Sequence, residues 1–245
     1  EHMGGRLVCH YCGYEHPAVK NCPECGSKYI LGFRAGTQQI EEALHKEFPG
    51  ARVLRMDADS TRTKDSYEEI LNAFANGEAD ILLGTQMIVK GHDFPNVTLV
   101  GILAADLSLH INDYRAGERT FQLLTQAAGR AGRGKRAGEV VIQTYDPEHY
   151  SIVHAARQDY QGFYYKGFYA EEMMYREMLL YPPAAHMLAI LVASPKEEAG
   201  RGLAEEIGIL LKKEWPVIGP APASVGKIQD IFRFMIYVKH MDYRR

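Results

Sequence analysis

The chain has 245 residues, 46% of them apolar and 24% charged, and a net charge of −3. That composition is globular and excludes a disordered or collagen-like chain, and no apolar run reaches the roughly 18 residues of a membrane span. Near-neutral charge makes any nucleic-acid surface local; Arg115 to Arg136 qualifies, with six basic residues against one acid, Glu118.

Residues 1–5 are polar and lead straight into a cysteine motif, so they read as a tag or linker scar rather than a signal peptide. The native chain is expected to continue upstream. Residues 6–28 carry Cys9-x-x-Cys12 and, nine residues on, Cys22-x-x-Cys25. One such turn puts two thiolates on a metal ion, and two turns complete a tetrahedral zinc site. Gly13 and Gly26 after the pairs, and Pro23 inside the second, suit tight turns. Two disulfides or buried thiols are the alternative, and four clustered Cys without a secretion signal argue against them. His10 and His16 read as bystanders, because four thiolates already fill the site.

Tyr29 to Phe33 reads as a strand. Thr37 is placed as the N-cap of a helix with Ile40, Leu44 and Phe48 on its apolar face, ended by Pro49-Gly50. Val53 to Met56 is a short strand, and Asp65 to Asn76 has helical spacing. Ala79 to Leu83 and Val97 to Ala104 are buried strands, Arg115 to Ala131 is helical, and Glu139 to Thr144 is the next strand. Strands alternating with helices predict an α/β layer with a mainly parallel sheet over 29–146. His149 to Leu180 reads as one long helix whose aromatics pack in the core rather than form a base-stacking platform. It makes a connector over 147–182, broken at Tyr181-Pro182-Pro183. Strand, helix and two strands then give a small α+β domain over 183–245.

Gln126-Ala-Ala-Gly-Arg-Ala-Gly-Arg133 holds two arginines three apart among small residues, suited to one face at a helix end. Guanidinium forks match phosphate oxygens, and glycines let the backbone approach a ligand closely. A solvated basic helix end explains the charge but not the glycine spacing. Upstream, in the order Ile81-Leu-Leu-Gly-Thr-Gln-Met-Ile-Val-Lys-Gly-His-Asp-Phe-Pro95, a strand delivers Gly84-Thr85 and a loop carries Gly91 and Asp93. Together these resemble the motifs of superfamily 2 helicases and translocases. The resemblance implies a RecA-like second helicase lobe. Arg130 and Arg133 would be arginine fingers positioned by Gln126, Thr85 would touch a DNA phosphate, and Gly91 and Asp93 would lie by the nucleotide ribose.

The Gly84-to-Val100 wording, the run Arg55 to Thr61, the two cysteine turns and Pro182-Pro183 resemble more narrowly the PriA family of bacterial primosomal helicases, from about Leu7 onward. That resemblance implies the C-terminal half of a cytoplasmic, ATP- and Mg²⁺-using 3′-to-5′ DNA helicase that restarts stalled forks and loads the primosome. The implied partners are DNA forks and single-stranded/double-stranded junctions, primosome proteins and single-stranded-DNA-binding protein, and no membrane. The C-terminal domain has nine basic residues against seven acids, and by the resemblance contacts DNA, with Lys227, Arg233 and Lys239 as candidates. Two departures stand out. The 245 residues hold no G-x-x-x-x-G-K-[ST] phosphate loop and no D-E-x-H box, so the chain alone is expected to be inactive. The family also carries four nested C-x-x-C pairs for two zinc ions, where this chain has two pairs, which leaves open a single four-thiolate site or a partly empty one. A zinc-dependent module that docks DNA or primosome proteins without chemistry, and the matching lobe of a repair or transcription-coupled motor, are the rival readings.

Overall fold

The computed structural model describes residues 2–3, 6–8, 14–17, 19, 21–28, 36–57, 60–61, 64–89, 94–111 and 113–242. The chain forms two compact units. A central unit comprises Leu31–Ile111 and Arg115–Phe163, and a C-terminal unit comprises Glu1–Ile30, Asn112–Tyr114 and Tyr164–Arg245.

In the central unit, aliphatic runs make four short strands, β4 (Val53–Met56), β5 (Ile81–Gly84), β6 (Leu99–Ile102) and β7 (Glu139–Ile142). β4 pairs with β5 and β6 with β7, both in parallel. Parallel pairing needs a crossover, which helices supply: α2 (Lys64–Ala75) lies between β4 and β5 in sequence, and α3 (Asp106–Leu109) and α4 (Ala116–Ala128) between β6 and β7. Helix α1 (Thr37–Glu47) precedes β4. Met56, Leu71 and Phe94 form one core cluster with Tyr67, Ile70 and Phe74 against it. Phe74 meets Phe94 edge-on at 5.0 Å. α4 buries Thr120, Phe121, Leu124 and Thr125. It is pinned by Thr120 Oγ1 donating to Ser108 Oγ at 2.9 Å, and by Ser151 Oγ of α5 (Tyr150–Ala156) donating to the Gly117 carbonyl at 2.9 Å.

In the C-terminal unit, β8 (His186–Ser194), β9 (Val217–Ile228) and β10 (Ile231–His240) form an antiparallel sheet in the order β8-β10-β9. β9 tolerates Pro220 and Pro222 because it is an edge. Helix α8 (Glu197–Leu211) lies over Val192, Phe234 and Ile236. It approaches closely because Gly200, Ala204 and Gly208 share a stripe four residues apart. A Cβ on Gly200 would meet Ser194 Cβ at 3.0 Å, and one on Gly208 would meet Pro220 Cδ at 3.1 Å. Near the chain start, β1 (His2–Met3), β2 (Arg6–Val8) and β3 (Glu15–Pro17) make a small antiparallel sheet that includes residues read as a scar. No helix among the described residues is long and apolar enough to cross a membrane.

Three expectations are corrected. Thr37 is the first helical residue, not the cap. Gly36 caps α1, and Thr37 Oγ1 instead donates to Asp57 Oδ2 at 2.5 Å. The long helix is broken: α5 stops at Ala156, and Gln158 turns left-handed at φ 51° before α6 (Tyr160–Gly162) resumes. A π-helical stretch, Phe163–Glu172, and α7 (Met173–Leu179) follow. Its aromatics are not all core. Phe163 and Phe168 are buried, while Tyr160, Tyr164, Tyr165, Tyr169 and Tyr175 are exposed. The strand foreseen over Tyr29 to Phe33 lies outside the described residues.

Candidate functional site

The paired arginines sit just beyond α4, not on its last turn. Gly129 N donates to Thr125 O at 3.0 Å and closes the helix, and Arg130 N reaches Ala127 O at 3.0 Å. Gly132 then adopts φ +73°, a conformation that side chains resist. A Cβ there would also meet Gly138 N at 2.7 Å, and one on Gly134 would strike the Pro95 carbonyl oxygen. The glycine spacing therefore builds a turn in which backbone packs on backbone. Arg133 is exposed and Arg130 half-buried, and Gln126 is exposed on α4. Arg133 Nε donates to Gly129 O at 2.6 Å, which fixes the root of the guanidinium.

The turn is tied to the segment that follows the ribose candidates in sequence: Gly132 N donates to Val97 O at 3.0 Å. Gly91 and Asp93 themselves lie outside the described residues. Thr85 is exposed at the carboxyl end of β5. Gly84 before it admits no side chain, because a Cβ would meet Met56 O at 2.5 Å and Ile88 Cγ2 at 2.7 Å. Ligands of open α/β sheets gather at this end of the strands.

Beside it, at the end of β4, is a polar knot that the sequence reading did not assign. Asp57 accepts from Thr37 Oγ1 and from Ser60 N at 2.9 Å, and pairs with Arg55 Nε at 3.1 Å. Arg55 also bonds Glu41 at 2.8 Å. The Thr37 hydroxyl first, then the Ser60 amide, pull the Asp57 carboxyl down to about 2. Asp-x-x-Ser-Thr is a recognisable turn signature. Asp106 at the start of α3 is a second such anchor. It accepts from Thr144 Oγ1 at 2.6 Å and Tyr145 N at 3.0 Å. Burial pushes its pKa up, but these donors outweigh burial and it lies below the usual carboxylate value.

Of the proposed zinc ligands, Cys22 and Cys25 are described and are free thiols, whereas Cys9 and Cys12 are outside the described residues. Gly26 N donates to Cys22 O at 2.8 Å and Gly26 has φ +70°. The Cys22 thiol lies below its ordinary value, because the backbone N–H groups of Cys25 and then Glu24 bond to it. Such a turn stabilises a thiolate, the form that ligates a metal. Among the described residues no group of three or more His, Cys, Asp or Glu is placed to hold a metal ion.

The three C-terminal basic candidates separate. Lys227 is exposed, pairs with Asp230 at 2.8 Å and lies 4.8 Å from the Phe232 ring centroid. Arg233 is half-buried. Lys239 is 5% exposed; its Nζ donates to Leu179 O at 2.7 Å and lies 3.4 Å from the Tyr181 ring centroid. Burial lowers its pKa. Lys239 is therefore withdrawn from the phosphate-facing set, because its charged end is already engaged inside the unit.

Residues 25–135 match the model of the helicase conserved C-terminal domain, and residues 177–245 match that of the primosomal protein N C-terminal domain. The glycine-built arginine turn thus belongs to a helicase C-terminal domain, a RecA-like lobe. Among curated proteins, the chain is 47% identical over 241 residues to the replication restart protein PriA of Bacillus subtilis, covering 97% of the chain and 29% of that relative. It is 43% identical to that of Synechocystis, covering 97% and 28%, and 38% identical to that of Thermotoga maritima, covering 98% and 31%. The chain belongs to the PriA family of replication restart proteins and spans under a third of the length of these relatives.

Proposed function

We propose that the chain is the second motor lobe and C-terminal domain of an ATP-dependent 3′-to-5′ DNA helicase that restarts stalled forks in the bacterial cytoplasm and loads the primosome. The observation that carries this reading is the turn Gly129–Gly134, which offers Arg130 and Arg133 from a backbone frame fixed to Val97. Preorganised guanidinium groups can stabilise charge on a transferring phosphoryl group without reorganising. Gln126 positions the arginines, Gly91 and Asp93 serve the nucleotide, and Thr85 contacts a DNA phosphate. Lys227 and Arg233 add phosphate contacts in the C-terminal domain. ATP and Mg²⁺ need the lobe whose phosphate loop and acidic box these residues lack. Zinc fits the thiolate-favouring Cys22–Gly26 turn, with Cys9 and Cys12 as the other ligands, and elemental analysis of the purified chain checks it. DNA forks, primosome proteins and single-stranded-DNA-binding protein are the partners of the longer protein.

The test is ATP hydrolysis by the chain alone. No turnover above background is expected, with or without forked DNA, and activity is expected once the first lobe is joined in cis. DNA-stimulated hydrolysis by the rigorously purified chain would overturn the division of labour.

A further inference from the structure

Arg133 is the last residue of the Gln126-to-Arg133 motif, and it opens a short loop. Two glycines beyond the motif, Gly134 and Gly138, shape that loop. Gly132 and Gly138 pinch its neck: a Cβ on Gly138 would strike the Gly132 nitrogen and meet Ala131 Cβ at 2.7 Å. Between them Gly134 rests on Pro95, because a Cβ there would strike the Pro95 carbonyl oxygen. At both points there is room for backbone alone, and a side chain would have to push main chain aside.

The support beneath the loop is itself anchored. Phe94 is buried in a cluster with Met56 and Leu71, meets Phe74 edge-on, and has Val97 packed on the same cluster. Val97 N donates to Phe94 O at 3.3 Å and closes a turn. Val97 O accepts from Gly132 N at 3.0 Å, and Thr98 O accepts from Glu139 N at 2.8 Å. These bonds run on into the parallel pairing of Leu99 with Glu139. The loop from Gly132 to Gly138 therefore leaves and rejoins one hydrogen-bonded ladder. Phe94 is also the residue directly after Asp93 in sequence. The segment that carries the arginine loop thus adjoins a residue proposed to serve the nucleotide.

We infer that Gly134 and Gly138 are positioning residues for Arg133: by admitting no side chain, they seat its loop on Phe94–Val97 and fix where the guanidinium starts. This deepens the role given above to Arg133 and rests on it. It extends the functional stretch past the motif's last residue, to the two glycines before β7.

In the longer protein, Gly134→Ala is expected to lower kcat for ATP by roughly 10²-fold, the cost of misplacing a catalytic group by about 1 Å. KM for ATP should stay nearly unchanged, as for a contact made in the transition state. Gly138→Ala should do the same. Gly50→Ala, where a Cβ would meet nothing within 4 Å, should turn over normally. Normal kcat in both loop variants, or a loss that merely tracks the unfolded fraction, would overturn the inference. Amide hydrogen exchange on the intact chain gives a readout without ATP, and it decides the matter if the longer variants do not fold. Gly134→Ala is expected to speed exchange of the Gly132 amide by about fivefold or more, while α8 stays as protected as before. An unchanged Gly132 amide would overturn the seating. Arg133→Ala separates the two readings. If it turns over ATP normally, the role of the arginine fails. If it is impaired while Gly134→Ala and Gly138→Ala are not, only the seating fails.

Discussion

Arg133 leaves α4 on a turn of glycines with its side chain exposed, whereas Arg176 and Lys239 are 3% and 5% exposed and donate to main-chain carbonyls. The central unit presents guanidinium outward from a frame made of backbone. The C-terminal unit turns these two cations inward and uses them to fasten α7, Tyr114 and β10 to one another. Two of its shifted groups fit that use: burial lowers Lys239 and raises Tyr237. In the central unit the shifted acids Asp57, Asp80 and Asp106 are all pulled down by hydrogen-bond donors. Charge of one sign can thus be offered outward or spent inside a unit, and burial with its partners decides which.

The largest expected effect lies at the two arginines of the Gly129–Gly134 turn. In the longer protein, Arg133→Ala should lower ATP turnover by roughly 10³-fold, the scale of an arginine finger, with DNA affinity nearly unchanged. Arg130→Ala should behave similarly, and steady-state kinetics with DNA in excess make the measurement. Normal turnover in both variants would erase the distinction between the two kinds of cation.

Lys239→Met tests the inward kind. Losing the bond to Leu179 O and the contact with the Tyr181 ring should cost about 1–3 kcal/mol in urea unfolding. DNA affinity at fixed salt should stay the same for the folded fraction. A large loss of DNA affinity with unchanged stability would return Lys239 to the phosphate-facing set.

The fates of Lys239 and the arginine turn show how much was legible. Period-two alternation places Arg233, Met235, Tyr237 and Lys239 on one side of β10. No periodicity tells that the end of α7 covers the last of them, because that packing joins residues 60 apart. The α/β alternation and the β8–α8–β9–β10 order were readable from local patterning, because aliphatic strands and helical spacing are local signals. The break at Gln158 was not, since it is an ordinary residue in a left-handed conformation and no Gly or Pro marks it. The glycines around Arg130 and Arg133 suggest backbone brought close to a ligand, whereas Gly132 and Gly134 approach the protein's own backbone at Gly138 and Pro95, partners that only the fold supplies.

Acid should separate the units. Asp57 has a pKa of about 2 in the fold against 3.8 ordinarily. A depressed carboxylate adds stability that is present above the ordinary value and is lost as pH falls through the folded one. The central unit should therefore weaken between pH 4 and 2. Trp215, the single tryptophan, lies in the C-terminal unit and reports on it separately. Central-unit amides should lose protection before Trp215 fluorescence shifts, and Asp57→Asn should flatten that pH dependence. Coincident transitions in wild type and variant alike would mean that the acids of the central unit do not set its acid limit.

The smallest effect belongs to exposed Lys227 and half-buried Arg233 in the C-terminal unit. Lys227 already has Asp230 at 2.8 Å as a partner, and an exposed pair of this kind contributes little to stability. Its replacement should leave urea unfolding unaltered. If it and Arg233 meet phosphates, the double variant Lys227→Ala/Arg233→Ala releases about two fewer counterions on binding. The slope of log affinity against log salt should then become shallower by roughly 1–2. Asp230 competes for Lys227, so the lower end is expected unless the phosphate displaces that carboxylate. Fork-DNA titrations from low to physiological salt read the slope directly, with Lys239→Met as the control that should not alter it. Equal slopes in all three proteins would make the C-terminal cations wholly structural, and the contrast between the units would then be complete rather than partial.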